Sequence, residues 1–442
     1  MTPVRTAFEV NGREYVVGGG PVVVICIDGS APGYHEQALQ AGRMPWLATL
    51  LAGAGTSWPA HCAMPALTNP NNLSIATGRP PAVHGISGNT YYDVATGAEQ
   101  PMTSPELLRC PTVFAAAQHA GLDVAVVTAK DKLRRLLATG LELPGAVCFS
   151  AEHANGTTLS GHGITAVPEL IGRPAPEVYS ADLSEFVLAA GVHLVREQRP
   201  NLTYLSLSDY VQHKHEPGSP AAEDFYAMID RYAESLDALG ATVVLTADHG
   251  MSAKSDAHGR AHVIYLEDEI ARLLGGRRDV RVVLPITDPY VAHHGALGSI
   301  AYVHLPDDVD PAALAEALRT FDGIQTTYER ADAARQLAMP ADRIGDIVVL
   351  GDAATAMGKS VAAHDVRGLD APLRSHGAFG ELAIPFIVNR RLDRPALSLG
   401  LGASPRGGAG AALVHNYDAF YAATTLVERM HTPATATERS SA

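Results

Sequence analysis

The segment PVVVICIDGS, residues 21–30, joins a continuous run of mostly β-branched residues to an aspartate that directly follows it. A run that is apolar at every position is typical of a strand buried on both faces, as in a parallel sheet covered by helices. Asp28 then lies just beyond the carboxyl end of the predicted strand. In open parallel sheets, ligands bind in the crevice outside these strand ends. The segment therefore predicts a fold class and the position of a site.

Strand-like and helix-like segments alternate along the rest of the chain. They include the strand-like LDVAVVTA (122–129), LTYLSLS (202–208) and ATVVLTA (241–247) and the helix-like MPWLATLLAGAG (44–55) and DFYAMIDRYAESLDALG (224–240). This alternation predicts an α/β fold with a mainly parallel central sheet flanked by helices. Residues 256–365 differ, because their short strand and helix patterns indicate a small α+β unit. We predict a core formed by 1–255 and 366–442 and an inserted cap domain over 256–365.

Composition limits the class of protein. The chain has 442 residues, of which 47% are hydrophobic and 18% charged, which is typical of a globular protein with one large domain and a smaller one. A net charge of −14 argues against an extended nucleic-acid or membrane surface. No apolar run has the length of a signal peptide or a membrane span, and the four cysteines lack CxxC spacing. We expect a cytoplasmic protein with free thiols and a small-molecule substrate, and we expect no nucleic-acid or membrane partner. The sequence does not decide between a monomer and a homodimer.

Three predicted strands are each followed directly by an aspartate. These are Asp28 in ICIDGS, Asp209 in YLSLSDYVQHKH and Asp248 in VVLTADHGMS. Any one of them alone could cap the helix that follows. Three carboxylates in one crevice, however, repel one another unless a cation neutralises them. The pattern therefore predicts a metal site at the carboxyl edge of the sheet.

Histidines close to these aspartates complete a candidate ligand set. His213 follows Asp209 by four residues, so the two share a face if a helical turn begins there. His249 directly follows Asp248, and consecutive residues that leave a strand can serve two separate centres. His376, in SHG, follows the predicted insertion. Oxygen and imidazole ligands without thiolates suit Zn²⁺, with Mn²⁺ or Fe²⁺ as substitutes.

Histidines outside this set are interpreted as structural. A lone histidine at the surface, or one with satisfied hydrogen bonds, is the more frequent case. The interpretation covers His84, His215, His258, His262, His293, His294 and His364.

Thr68 begins the uncharged polar segment TNPNNLSIATG, residues 68–78. Polar clusters without charge usually form a turn and cap a helix. Thr68 is therefore either a helix cap or a nucleophile beside the predicted metal site, and the local residues leave both interpretations open.

The ordered set of Asp28, Thr68, DxxxH, DHG and His376 resembles the alkaline phosphatase superfamily, in its nucleotide pyrophosphatase/phosphodiesterase branch. The resemblance implies an alkaline-phosphatase-like core with two Zn²⁺ ions roughly 4 Å apart, which clamp an in-line displacement at phosphorus. It assigns Asp209, His213 and His376 to one ion, and Asp28, Asp248, His249 and Thr68 to the other. It also makes Thr68 the nucleophile at a helix N-terminus, where the capping and catalytic interpretations are compatible.

Longer motifs resemble the phosphonoacetate hydrolase family within this branch, whose members split phosphonoacetate into acetate and phosphate. They are TNPNNLSIATGRPPAVHGISGN, VAVVTAKDKLR, DYVQHKHEPG, LPITDPYVAHHGALGS and PLRSHG. The resemblance places Asn89, Lys130 and Lys132 at substrate-binding positions, with His213 on the same side. The chemistry of the reaction agrees with these positions, because cleavage of the C–P bond leaves an enolate whose negative charge two lysines would stabilise. If the KxK motif of Lys130 and Lys132 is considered alone, the alternative is that both lysines lie in a solvated loop and bind no substrate.

The sequence therefore predicts a zinc-dependent hydrolase of the C–P bond of phosphonoacetate that forms a phosphothreonine at Thr68. A phosphodiesterase or nucleotide pyrophosphatase would use the same metals but would need a slot for an aromatic base. A phosphomutase or phosphotransferase would pass the phosphoryl group to an acceptor other than water. A non-catalytic metal-binding or scaffold protein is disfavoured, because every ligand position and Thr68 are filled.

Overall fold

The computed structural model describes residues 5–286, 297–364, 366, 369, 371–392 and 413–427. A seven-stranded sheet forms its centre, from β3 (Val22–Cys26), β4 (Thr56–Ser57), β8 (Val124–Thr128), β9 (Val147–Ser150), β10 (Leu202–Ser206), β11 (Thr242–Thr246) and β21 (Phe386–Val388). The strand order is β4-β21-β11-β3-β10-β8-β9. The five strands from β11 to β9 are parallel, and β21 pairs antiparallel with both of its neighbours. The prediction of a mainly parallel sheet is confirmed.

Most helices cover the two faces of this sheet, and the three helices between residues 266 and 336 pack on strands of the predicted insertion instead. The helices are α1 (Pro32–Gln40), α2 (Pro45–Ala52), α3 (Thr68–Thr77), α4 (Pro81–His84), α5 (Val113–His119), α6 (Asp131–Leu137), α7 (Leu159–His162), α8 (Val167–Ile171), α9 (Asp182–Glu197), α10 (Tyr210–Lys214), α11 (Pro220–Ala238), α12 (Leu266–Leu273), α13 (Pro311–Arg319), α14 (Arg330–Gln336) and α15 (Ala419–Thr425). The predicted helices at 44–55 and 224–240 are α2 and α11. Helix α11 begins earlier than predicted, because Pro220 at its first position favours a helix start there.

Alternate side chains of β3 enter two separate apolar clusters. Val22, Val24 and Cys26 pack in one cluster with residues of α3, α5 and α15. Val23 and Ile25 pack in the other with residues of α1, α2, α9 and α11. Because successive side chains of a strand point to opposite faces, an apolar residue is needed at every position of β3. This explains the uninterrupted run that predicted the fold.

A second, four-stranded sheet lies within the predicted insertion. It is antiparallel, in the order β14-β15-β17-β16, from β14 (Arg281–Val283), β15 (Ile300–His304), β16 (Ile324–Glu329) and β17 (Ile347–Gly351). The chain leaves the core through β12 (Ser252–Ala253) and returns through β19 (Arg374–Ser375), and these two strands pair with each other. A further pair joins β13 (Val263–Tyr265) and β18 (Ala356–Gly358). The buried side chains of the insertion belong to the same apolar cluster as side chains of the core. The domain boundaries at 256 and 365 therefore stay a prediction.

Small sheets that the sequence analysis did not predict complete the architecture. The hairpin of β1 (Thr6–Val10) and β2 (Arg13–Val17) turns at Asn11 and Gly12, both with positive φ, as a two-residue Asn-Gly turn requires. The others contain β5 (Ala60–His61), β6 (Thr90–Asp93), β7 (Ala98–Pro101), β20 (Ala383–Ile384) and β22 (Val414–His415). All four cysteines are free thiols. In the described part of the chain, no helix has the length and apolar character needed to cross a membrane.

Candidate active site

The three aspartates predicted at strand ends lie together. Asp28, Asp209 and Asp248 follow β3, β10 and β11, and these strands are neighbours in the sheet. Since the strands are parallel, their carboxyl ends meet at one edge. Asp209 directly precedes α10, and the Nε2 of His213 lies 2.9 Å from an Asp209 carboxylate oxygen. The predicted helical turn at DxxxH is confirmed.

Two clusters of side chains that could each hold a metal ion form at this edge. The first group is Asp209, His213 and His376, and the second group is Asp28, Asp248 and His249. Within each group, one ligand atom from each residue lies within 4.8 Å of the others. The rings of His249 and His376 stack with their centroids 3.5 Å apart, so the two groups are adjacent. The grouping is the one that the family resemblance implies for two metal ions.

Each of the three histidines is oriented by a backbone carbonyl. The Nδ1 atoms of the histidines donate at 2.8 Å to Arg374 (from His213), Gly250 (from His249) and Ala66 (from His376). Because a carbonyl can only accept, Nδ1 carries a hydrogen, and in the neutral ring Nε2 then presents a lone pair. Metal-binding histidines are commonly held in this way.

These lone pairs face carboxylate oxygens that are themselves acceptors. The Nε2 of His249 lies 3.3 Å from Oδ1 of Asp28, and this buried oxygen has no hydrogen-bond partner among the described residues. Facing acceptors repel each other unless a proton or a metal ion lies between them. The donor set of imidazole nitrogens and carboxylate oxygens therefore fits divalent metal ions such as Zn²⁺.

Burial and neighbouring charge shift the pKa in the same direction for two of these residues, Asp28 and His376. Burial raises the pKa of Asp28 well above its usual range, and the neighbouring Asp248 carboxylate raises it further. Burial also raises the pKa of Asp248. Burial and the adjacent His249 lower the pKa of His376 well below its ordinary value, so this ring stays neutral. A bound cation would favour the ionised form of the carboxylates, and the neutral imidazole could coordinate it.

Thr68 is the first residue of α3, whose N-cap position is Leu67. Its hydroxyl lies 3.2 Å from the Nε2 of His249 and thus faces the second group. The interpretation of Thr68 as the helix cap is wrong, because Leu67 occupies the N-cap position and Thr68 is already the first residue of the helix. Pro70 lacks an amide hydrogen, so the first-turn amides of Thr68 and Asn69 are the donors that this helix start offers.

Asn72 connects Thr68 to the second group, and the sequence analysis missed it. Its Nδ2 donates at 3.0 Å both to Oδ2 of Asp248 and to the carbonyl of Thr68. Its Oδ1 accepts from the hydroxyls of Tyr204 (2.7 Å) and Ser206 (2.9 Å) on β10. The one signal in the sequence is that Asn72 follows Thr68 by one helical turn. Asn72 therefore fixes the Asp248 carboxylate relative to the start of α3.

We expect Asn72→Ala to weaken zinc binding by about 10- to 100-fold, because the partner that orients the ligand Asp248 is lost. A competition titration with a chromophoric chelator measures this affinity. Asn71→Ala is the matched control, since the Nδ2 of Asn71 donates to the carbonyls of Ala63, Pro65 and Leu67 rather than to a ligand. Equal losses of zinc affinity in both variants would show that Asn72 only stabilises the helix.

The three residues predicted to bind substrate differ in position. Lys130 lies between β8 and α6 and lines a cleft together with Asp209 and His213. Lys132 is half-buried in α6 and is not among the described residues that line this cleft. The Nδ2 of Asn89 donates to the carbonyl of Ile286 (3.3 Å), and its Oδ1 is buried without a hydrogen-bond partner in the described part of the chain. The roles of Lys132 and Asn89 stay predictions.

The remaining histidines form no third ligand group within the described residues. His84 bonds to the Ser74 hydroxyl (3.0 Å) and accepts from the Ile86 amide (3.2 Å), as a structural histidine does. His293 and His294 lie outside the described residues.

Comparison with known proteins identifies the family to which this chain belongs. Residues 22–377 match the family described as type I phosphodiesterase / nucleotide pyrophosphatase. The phosphonoacetate hydrolase of Sinorhizobium meliloti 1021, solved in complex with phosphonoformate, is 48% identical; the match covers 96% of this chain and 100% of that chain, with a TM-score of 0.89. Its complex with phosphonoacetate gives the same identity and coverage and a TM-score of 0.88.

A distant relative shares the fold. Murine ectonucleotide pyrophosphatase / phosphodiesterase 5 is 15% identical, with a TM-score of 0.57 over 91% of this chain and 93% of that chain. At this identity the likeness shows the fold alone. The near and distant matches agree, and the α/β fold predicted from the sequence is confirmed. The chain belongs to the type I phosphodiesterase / nucleotide pyrophosphatase family and, within it, to the phosphonoacetate hydrolases.

Proposed function

We propose that this enzyme hydrolyses phosphonoacetate to acetate and phosphate, with two zinc ions bound per chain and a phosphothreonine intermediate at Thr68. The observation that carries the proposal is the position of the Thr68 hydroxyl, 3.2 Å from His249, beside two adjacent three-residue ligand groups. The relative that crystallised with phosphonoacetate is 48% identical over almost the whole chain, which supports the same substrate here.

The metal ligands follow from the two groups. Asp209, His213 and His376 would hold one ion, and Asp28, Asp248 and His249 would hold the other together with the Thr68 oxygen. When bound, the ions lower the pKa of a coordinated hydroxyl and neutralise charge on the phosphoryl oxygens. Nitrogen and oxygen ligands without thiolates favour Zn²⁺, and Mn²⁺ or Fe²⁺ are the substitutes we propose.

Thr68 is the nucleophile that attacks phosphorus. The Thr68 hydroxyl releases its proton to solvent and its Oγ1 attacks phosphorus in line, while the amides of Thr68 and Asn69 and the side chain of Asn89 hold a phosphoryl oxygen. The C–P bond breaks, and carbon leaves with the electron pair as the enolate of acetate, which takes a proton from solvent. Water then attacks the phosphothreonine, releases phosphate and restores the Thr68 hydroxyl.

Lys130 stabilises the departing group. A carbon can leave with an electron pair only if the negative charge is spread, and the neighbouring carboxylate spreads it over two oxygens. The ammonium of Lys130 lines the cleft on the side of Asp209 and His213, where it would meet that carboxylate. Lys132 is the second lysine we propose for this role.

Hydrolysis of three substrates tests the proposed function. The zinc-loaded enzyme is assayed for phosphate release from phosphonoacetate, nitrophenol release from a nitrophenyl phosphodiester and pyrophosphate release from ATP. We expect phosphonoacetate to have the highest kcat/KM. A higher kcat/KM for the diester or for ATP would instead support the activity in the family's name, type I phosphodiesterase or nucleotide pyrophosphatase.

We expect Lys130→Met to lower kcat/KM for phosphonoacetate by about 100-fold, because one preorganised charge that stabilises the departing carboxylate is lost. Hydrolysis of nitrophenyl phosphate should fall much less, since its leaving group carries no carboxylate. The measurement is the ratio of kcat/KM for the two substrates in the variant and the wild type. Arg43→Met is the control for loss of one positive charge, because Arg43 pairs with the exposed Asp224. Equal losses on both substrates would assign Lys130 to the phosphoryl group.

A further inference from the structure

Lysine is scarce in this protein, and its placement is uneven. The chain has five lysines among its 33 lysine and arginine residues: Lys130, Lys132, Lys214, Lys254 and Lys359. Two of them form ion pairs with glutamates, Lys254 with Glu381 and Lys359 with Glu99. Lys214 has no carboxylate partner among the residues that the structure describes, although the chain as a whole is acidic.

Lys214 lines the same cleft as Lys130 and the ligands Asp209 and His213. It is the last residue of α10, and His213 is its neighbour in that helix. The Lys214 ammonium lies 4.6 Å from the centre of the Tyr210 ring and 3.4 Å from the Tyr210 hydroxyl. Tyr210 therefore holds a positive charge in the cleft without neutralising it.

Lys130 has a similar arrangement. Its ammonium lies 5.8 Å from the centre of the Tyr179 ring, and Tyr179 also lines the cleft. Two lysines from distant parts of the chain, each beside a tyrosine ring, thus line one cleft. The third cation there, Arg374, donates to the carbonyl of Gln212 (2.9 Å) and to the Tyr34 hydroxyl (3.1 Å), so its guanidinium is already used within the protein.

An ammonium in a partly closed cleft loses hydration, and an anionic ligand compensates for that loss. We propose that Lys214 is a specificity-determining residue that binds the carboxylate of the substrate together with Lys130. The inference rests on the proposed function, in which the two ligand groups hold the phosphonate and leave the carboxylate in the cleft. It extends that function, because the motifs that predicted Lys130 and Lys132 gave no role to Lys214.

The test compares two ligands that differ by a carboxylate. Calorimetry on the zinc-loaded enzyme measures the affinities for phosphonoformate and for inorganic phosphate. We expect Lys214→Met to weaken phosphonoformate binding by about 10-fold or more, as for a lost charge-assisted hydrogen bond, and phosphate binding much less. Lys214→Arg keeps the charge and should restore most of the affinity for phosphonoformate. Arg43→Met should leave the ratio of the two affinities unchanged.

Two outcomes would overturn the inference. Equal weakening of both ligands by Lys214→Met would mean that Lys214 acts on the phosphoryl group or on the fold, and no weakening of either would mean that it is a solvated lysine. Thermal melting of each variant shows whether the fold is intact. If the wild-type enzyme released no phosphate from phosphonoacetate, the proposed function would fail, whereas the two binding constants would still decide the role of Lys214.

Discussion

Replacement of Thr68 by alanine is expected to abolish phosphate release from phosphonoacetate while zinc and substrate still bind. The variant removes the attacking oxygen, and the loss of a nucleophile costs about 10⁴-fold or more in kcat. The six aspartate and histidine ligands are unchanged, so elemental analysis should find the wild-type zinc content. Steady-state kinetics gives the loss of activity, and calorimetry with phosphonoacetate gives the retained affinity.

Thr68→Ser is the matched variant for this experiment. It keeps a hydroxyl at the same position but loses the methyl group that restricts rotation about χ1. We expect it to retain part of the activity and to trap phosphate on the serine when the reaction is quenched with acid. A Thr68→Ala enzyme that turned over near the wild-type rate would replace the covalent mechanism by direct attack of water.

Removal of metal is expected to abolish activity completely, and Zn²⁺ should restore it. The two ligand groups hold their carboxylates and imidazoles close together, and a bound cation would make this arrangement favourable. Dialysis against a chelator, followed by titration with Zn²⁺, should give full recovery at about two ions per chain.

Single-ligand variants locate the two ions. We expect His376→Ala and Asp28→Asn each to lower the zinc content and the activity, because each belongs to a different ligand group. His258→Ala is the control, since His258 is exposed and lies outside both groups. Full activity after exhaustive chelation would refute the two-metal mechanism.

Much of the fold could be predicted because its signals are local. The run at residues 21–27 is apolar at every position, since β3 is covered on both faces. The strand order that makes β11, β3 and β10 neighbours could not be read from the residues, because it depends on pairing between distant segments. The first hairpin was missed although Asn11–Gly12 carries a recognised turn signal.

The candidate site, like the fold, has features that could be predicted from the sequence and features that could not. Asp28, Asp209 and Asp248 could be predicted because each directly follows a predicted strand, and a family resemblance divided the candidate ligands between two ions. The contacts of Asn72 could not be predicted, because its partners Tyr204 and Ser206 are 132 and 134 residues away in the chain. A capping role was considered for Thr68 beside the catalytic one, because propensity describes the residue type and not the position at which the helix begins.

The paired strands β12 and β19 have a consequence for how this enzyme can diversify. They bring the two ends of a long insertion side by side, so its sequence and length can change in evolution without separating the halves of the core. The return strand ends at Ser375, however, and the next residue is the ligand His376. A chimaera that exchanges the insertion should therefore keep both strands from the recipient, since a shift of one residue in their ladder would turn the imidazole away from the metals.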